Sequence, residues 1–352
     1  MDFFTPIVKE EVQHPNFKLL SSLKHRTYDI DEFKRWADGF VDRDNKIVKE
    51  FQTTFNSSFW EIYLYALFKE YGFEIDFSHR SPDFILKAKN IDFVVEATTA
   101  NASQDKPKEW DMALSFEEIQ KIDLNLMNKE SIIRLSNSIM SKYKKYKANY
   151  STLDHVKNKP FIIAVGPFEQ PFFSMQYDRA IKALLYDYYV DEESYLANPK
   201  IYPDGPPAIE LGSVEKDNGR ELLLGFFNDD QMAEVSAIMF TNSATWAKAS
   251  ARGAYFAGIS KPLTYLWASE PHGAHKLRIL SSEDYLEPIN AGLQIYHNPY
   301  AKKPLDPEIF RKSGVVQNYI ENNGEWVHEG RNDALQIRIM LPLPSNISRN
   351  TQ

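Results

Sequence analysis

The run PDFILKAKNIDFVVEAT, residues 82–98, most constrains how this 352-residue chain can fold. Two strand-like segments flank a Lys89-Asn90 turn, a pattern that predicts an antiparallel hairpin. Asp83 opens the first segment and Glu96 closes the second, with twelve residues between them. In the second segment Asp92, Val94, Glu96 and Thr98 share one face, and glutamate is disfavoured in mid-sheet. Two carboxylates meeting across a hairpin repel one another unless a cation lies between them. Oxygen ligands on rigid elements are what a hard divalent cation needs to activate water at a phosphodiester. Asp83 also has a plainer reading, as a turn residue that caps its own backbone.

Upstream, residues 42–71 carry apolar positions at helical spacing: Phe51, Phe55, Phe59, Ile62, Tyr63 and Ala66. Gly72 is the expected stop. Within this stretch FWEIYLYALF is apolar almost all round, which predicts burial on most sides. Glu61 sits inside it, and a buried carboxylate is costly unless paired, protonated or bound to metal. The alternative is a capping box, Ser58-x-x-Glu61, in which Glu61 only satisfies a helix start.

Further along, the pattern predicts strands at 73–77, 83–87 and 91–98, a polar loop at 101–112, and helices at 115–126 and 130–148. FIIAV (161–165) has the continuous apolar character of a central strand, and 177–189 reads as a helix. The segment 198–207, NPKIYPDGPP, is the natural place for an excursion. ELLLGFF (221–227) and EVSAIMF (234–240) read as strands extending the same sheet. Beyond 261 the chain is rich in turns and ends in a frayed tail. The resulting division is an N-terminal segment (1–41), a core (42–190), added strands (191–260) and a C-terminal region (261–352). Helices and strands alternate, so the expected class is mixed α/β, one sheet between helices.

The sequence excludes several chemistries. With no cysteine there is no disulfide, thiolate zinc site or cysteine nucleophile. There is no GxGxxG and no Walker glycine loop, and Gly212-Ser213 lacks the surroundings of a nucleophile elbow. No apolar run approaches the ~20 residues that span a bilayer, and the N-terminus lacks a signal-peptide pattern, so the expectation is a soluble, cytoplasmic protein without a membrane partner. A formal charge of −8 argues against whole-surface binding to nucleic acid while allowing a local basic groove.

Taken together, the helix with Glu61, PD at 82–83, E-x-T at 96–98, the following helix and the strand FIIAV resemble the PD-(D/E)xK nuclease superfamily over residues 55–165. The resemblance implies a restriction-endonuclease-like core and a phosphodiesterase that uses Mg²⁺ or Mn²⁺ on nucleic acid, DNA before RNA, in restriction or anti-phage defence. It implies Asp83 and Glu96 as metal ligands, with Glu61 assisting. Thr98 stands where the family carries lysine, so Lys87, Arg134 and Lys142 are the candidates to replace it. The rival is a catalytically inactive nuclease fold serving as a nucleic-acid-binding or protein-interaction module. Many such nucleases act as dimers, which leaves a homo-oligomer open.

Three weaker signals complete the reading. SKYKKYKANY (141–150) interleaves Lys142, Lys144, Lys145 and Lys147 with tyrosines. With Arg134 this suits a surface tracking a phosphate backbone, and equally a helix end whose lysines complement the dipole. Glu270, His272, His275 and His297 contain zinc-type donors, with surface histidines as the default. Ser243 to Lys248 could meet phosphate or simply close a strand.

Overall fold

The computed structural model describes residues 1–340 except 23–26, 112–116, 118–119, 261, 270–273, 322 and 324, and backbone alone at 262–264, 267–269 and 274–275. Its helices are α1 (Pro15–Ser22), α2 (Thr27–Ala37), α3 (Ile47–Thr53), α4 (Phe55–Glu70), α5 (Leu124–Lys145), α6 (Arg179–Tyr186), α7 (Glu192–Ala197) and α8 (Trp246–Phe256). The strands are β1 (Glu74–Asp76), β2 (Phe84–Ala88), β3 (Ile91–Asn101), β4 (Phe161–Phe168), β5 (Tyr189–Val190), β6 (Ala208–Ile209), β7 (Ser213–Glu215) and β8 (Glu221–Leu223). They continue with β9 (Ala237–Phe240), β10 (Pro262–Ser269), β11 (Ala274–Ser281), β12 (Gln294–His297), β13 (Val316–Ile320), β14 (Trp326–Glu329) and β15 (Ala334–Met340).

Eight of these strands form one mixed sheet in the order β1-β2-β3-β4-β9-β12-β13-β14. The hairpin β2–β3 is antiparallel in the register Phe84↔Val95 to Ala88↔Ile91, with the turn at Lys89, which takes a φ of 57°. β3, β4 and β9 then run parallel to one another. β4 is buried along its whole length, as a strand covered on both faces requires. Alternation divides the sheet cleanly. Phe84, Phe93, Val95, Ile162 and Ala164 pack with α2 and α4 on one side, whereas Ile85, Val94, Ile163 and Val165 pack with α5 and α6 on the other.

The helix expected at 42–71 is broken at Thr54. The Thr53 and Thr54 hydroxyls turn back to the carbonyls of Lys49 and Glu50 at 3.0 and 3.1 Å, a local bond that competes with helix geometry. The break lets α3 and α4 fold together, with the Phe51 and Phe55 rings 4.9 Å apart. α4 is fastened to the sheet beside Glu61: the Trp60 indole donates to Ala164 O at 3.1 Å. Gly166 makes room for that ring, because a Cβ there would stand 3.0 Å from Trp60 and 2.9 Å from Phe168.

Several expectations need correction. ELLLGFF does not extend the main sheet; only β8 forms there, in a separate hairpin with β7. The region beyond 261 is strand-rich rather than turn-rich: β12, β13 and β14 complete the main sheet, and β11-β10-β15 make a second, antiparallel one. Long-range pairing supplied this order, and periodicity within single segments carries no trace of it. Four of the twelve residues of the helix expected at 115–126, Glu270, His272, the His275 side chain and the tail beyond 340 lie outside the described residues.

The second sheet is held by a buried ionic cluster. Glu287 accepts from Lys248 Nζ at 2.5 Å, from Arg338 Nε at 2.7 Å and from Tyr265 Oη at 3.2 Å. Arg252 extends it, donating to Glu287 O and to Glu32 Oε1, both at 2.7 Å. Lys248 is thus a core cation facing Glu287 and not a surface phosphate ligand. Removing one member of such a cluster costs about 3–5 kcal/mol, because the remaining charge stays buried without its partner.

Candidate functional site

Asp83 immediately precedes β2, and by extrapolating the hairpin register it falls opposite Glu96. Its Oδ2 accepts the Ala97 N–H at 2.7 Å, so the carboxylate satisfies β3 across the hairpin instead of capping its own turn. The loop before it is clamped from several sides. Arg43 donates to the carbonyl oxygens of His79 and, at 2.8 Å, of Asp83 itself. His155 bonds Ser81 O at 2.8 Å and stacks on His79 with ring centroids 3.8 Å apart.

Glu96 lies on the α5 face of β3 with no exposed surface. Its Oε1 accepts two ammonium groups, Lys142 Nζ at 2.9 Å and Lys145 Nζ at 2.7 Å. Its Oε2 has no hydrogen-bond partner. Burial pushes the Glu96 pKa up, but the two lysines outweigh it and hold the group below the usual carboxylate range. Both lysines come from the last turn of α5, which runs beside β3: Arg134 donates to Asn101 O at 2.7 Å and Ser138 to Thr99 O at 3.0 Å. After Lys145 the helix widens into a π turn, Tyr146–Tyr150. That turn brings the buried Tyr150 phenol towards Glu96, and burial followed by that charge raises its pKa strongly.

Glu61 is the seventh residue of α4, beyond the first turn, so the capping-box reading fails: Ser58 is buried inside the helix with an unpartnered hydroxyl. Glu61 and Asp83 keep part of their surface open to solvent while protein crowds them on every other side. Burial, then the charge of Asp83, pushes Glu61 up to about 8. Burial, then the charge of Glu96, pushes Asp83 up to about 6. Lys142 experiences all three acids: burial lowers its pKa, and Glu96, Asp83 and Glu61 together raise it further than that.

The structure therefore brings Glu61, Asp83, Glu96 and Lys142 into one electrostatic unit and adds Lys145. Thr98 follows Glu96 on the same face of β3, half-buried and in register with Val165. The other sequence candidates lie elsewhere. Lys87 is exposed at the turn end of the hairpin opposite Asp92, four residues or about 13 Å along the strand from Asp83. Arg134 is two turns of α5 from Lys142. Lys144 and Lys147 face solvent, Lys147 over the Tyr143 ring at 5.2 Å. The tyrosines of 141–150 are not stacking platforms: Tyr143, Tyr146 and Tyr150 are buried, and Tyr146 stacks on Phe161 at 4.0 Å. His297 is buried against Gln317 at 3.0 Å. Nothing in the sequence marks Arg43, and Tyr150 stands out only as one of the tyrosines of 141–150, not as a neighbour of Glu96. Among the described residues no group of three or more His, Asp or Glu side chains stands ready-made as a metal cage. None of the described helices is long and apolar enough to cross a membrane.

Glu61 gives this site a testable pH signature. Its pKa in the folded chain lies above that of the unfolded chain, so its favourable contribution is complete below about pH 4 and is lost as pH rises through about 8. Asp83 behaves alike, its loss beginning near pH 4 and complete by about 6. In metal-free buffer Glu61→Gln should melt at a higher temperature than the parent at pH 8 and show a smaller difference at pH 5. Parallel melting curves across that window would contradict the assignment.

Compared with known proteins, the chain matches no family model, no curated protein and no solved structure.

Proposed function

We propose that this protein is a divalent-metal-dependent phosphodiesterase acting on nucleic acid, built on a restriction-endonuclease-like core. The observation that carries the reading is the placement of Lys142. Position 98 is threonine, yet an ammonium from the next helix reaches Glu96 at 2.9 Å and lies within the field of Asp83 and Glu61. The acids fit a cation: Glu96 Oε2 is an orphaned buried acceptor, and the pKa values of Asp83 and Glu61 are raised by crowding that a positive charge would relieve. Asp83 and Glu96 would hold Mg²⁺ or Mn²⁺, with Glu61 beside them. When bound, such an ion supplies Lewis acidity and a lowered pKa for water.

The chain's own groups then have distinct tasks. Arg43 holds the backbone carbonyl of Asp83 and the Ala97 N–H holds its carboxylate, so little reorganisation is needed on binding. Lys142 neutralises the acids before the ion enters and is positioned to steady negative charge growing on a phosphate. Glu61, with its pKa near 8, can take up or release a proton at neutral pH. Exposed Lys144 and Lys147 offer a short basic approach on an otherwise acidic protein. The preference for DNA over RNA, and a place in restriction or anti-phage defence, rest on the resemblance alone.

One observation favours the rival, a fold without catalysis that binds nucleic acid or a protein. Glu96 is already neutralised by two lysines, an arrangement that is stable with no ion present. Incubating linear and circular DNA, and RNA, with Mg²⁺ or Mn²⁺ separates the two. The expected result is metal-dependent cleavage that Asp83→Ala abolishes, and a melting temperature that rises with metal, more at pH 8 than at pH 5. No cleavage of any substrate and no metal-induced stabilisation would leave the binding module standing.

A further inference from the structure

A second site lies away from the acids, outside the carboxyl ends of the parallel strands. β3, β4 and β9 end at Asn101, Phe168 and Phe240, the position at which open α/β sheets take ligands. There the structure forms two adjoining cavities of about 490 and 610 Å³, both lined by Asn56 and Glu109. Either volume falls in the range of small-molecule pockets, roughly 300–1,000 Å³.

Five aromatic side chains line the first cavity: Phe55, Phe59, Phe168, Phe173 and Trp246. Its polar groups are mainly acceptors or already spent. Asn56 and Asn16 donate to Glu109 Oε1 at 2.6 and 3.3 Å, which leaves Oε2 engaged by neither amide. Asn242 is fully buried; its amide nitrogen donates to Ser174 O and Gln336 O, at 2.8 and 2.9 Å, and its Oδ1 has no partner. Arg338, the cation in the lining, is turned to Glu287 and to Ser243 O. Among the described residues the first cavity therefore offers rings and acceptors and no uncommitted positive charge, and Lys108, which lines the second, donates to Ser103 O. That combination does not suit a phosphate or a free amino acid, each of which brings an anion. It suits a flat, uncharged heterocycle carrying an amino group.

We infer that this crevice binds a nucleobase with an exocyclic amine, stacked on the aromatic wall and donating to Glu109 or Asn242. The same chemistry could reach it as a free nucleoside or as a base turned out of a strand. α4 links the two sites, since Asn56 lines the crevice and Glu61 follows five residues or about 7.5 Å along the helix. The inference does not depend on cleavage.

The test uses full-length Asp83→Ala protein in chelator, so that binding is read without any turnover. Calorimetry would compare matched pairs, adenosine with inosine and cytidine with uridine, which differ at the amino position. The amino member of each pair should bind at least tenfold more tightly. Glu109→Gln should shrink that preference, and Phe173→Ala should weaken both members about tenfold, as loss of stacking does. Saturation by nucleosides alone identifies a free ligand. If nucleosides are inert but a deoxyadenosine oligomer binds, and abasic sugars or Phe173→Ala weaken it tenfold, the base comes from a strand. The inference is overturned if Glu109→Gln and Phe173→Ala, both folded by circular dichroism, leave nucleoside and oligomer affinity unchanged.

Discussion

Glu96→Gln is expected to lower metal-dependent cleavage by about 10³-fold while costing the fold comparatively little. In the proposed reaction the loss would follow from removing a metal-ligand charge worth several kcal/mol in the transition state, at 1.36 kcal/mol for each tenfold. The fold is spared because glutamine keeps the shape, and the Lys142 and Lys145 side chains, 22% and 43% exposed, can turn to water. Losing two charge-assisted hydrogen bonds of this exposure should cost about 1–3 kcal/mol. The variant should also shift Asp83. With the neighbouring charge gone, the Asp83 pKa should drop towards the ordinary carboxylate range, moving that part of the stability loss to lower pH. Single-turnover cleavage and urea denaturation measure the two effects separately. Wild-type cleavage by Glu96→Gln would remove Glu96 from the chemistry.

Lys142→Met is the second large effect, and its contrast with Lys145→Met carries the information. Both lysines bond the same oxygen, but Lys142 is the more buried and is coupled to all three acids, whereas Lys145 also lies over the Tyr150 ring at 5.6 Å. If Lys142 steadies charge on phosphate, its loss should reduce cleavage by about 10²–10⁴-fold at saturating metal. Lys145→Met should reduce it far less. Equal losses would mean that the pair only neutralises Glu96. Lys142→Met should also steepen the loss of stability between pH 5 and 9, because the lysine lowers the Glu61 and Asp83 pKa values and its removal lets both rise further. The Lys142 pKa is raised in the folded state, so its contribution is complete below the unfolded value of about 10.5 and is lost only above that.

The hairpin illustrates how much the sequence can show. Two alternating runs around Lys89-Asn90 leave one register that buries Phe84, Phe93 and Val95 together, and that register brings Asp83 to Glu96. FIIAV was legible for the same reason, since a strand without a polar position has to lie where both faces are covered. The break at Thr54 was hidden: propensity continues through it, and the interruption comes from two hydroxyls bonding their own helix. The strands beyond 261 were hidden too, because short runs with turns between them do not reveal which distant edge they join. The tyrosines at 143, 146 and 150 misled for the opposite reason, their ring faces being claimed by Phe161 and the core.

Sequence alone determined the acids and the elements that carry them. Residue period and turn chemistry are local properties, and together they place Glu61 within a helix and Asp83 and Glu96 on a hairpin. Only the tertiary structure decided which cations meet those acids. Lys87, Arg134 and Lys142 are equivalent as letters. The packing of α5 along β3 leaves Lys87 at the far turn, ties Arg134 to Asn101, and sets Lys142 and Lys145 on Glu96. A charge–charge interaction falls with distance and strengthens with burial, and both are properties of the fold.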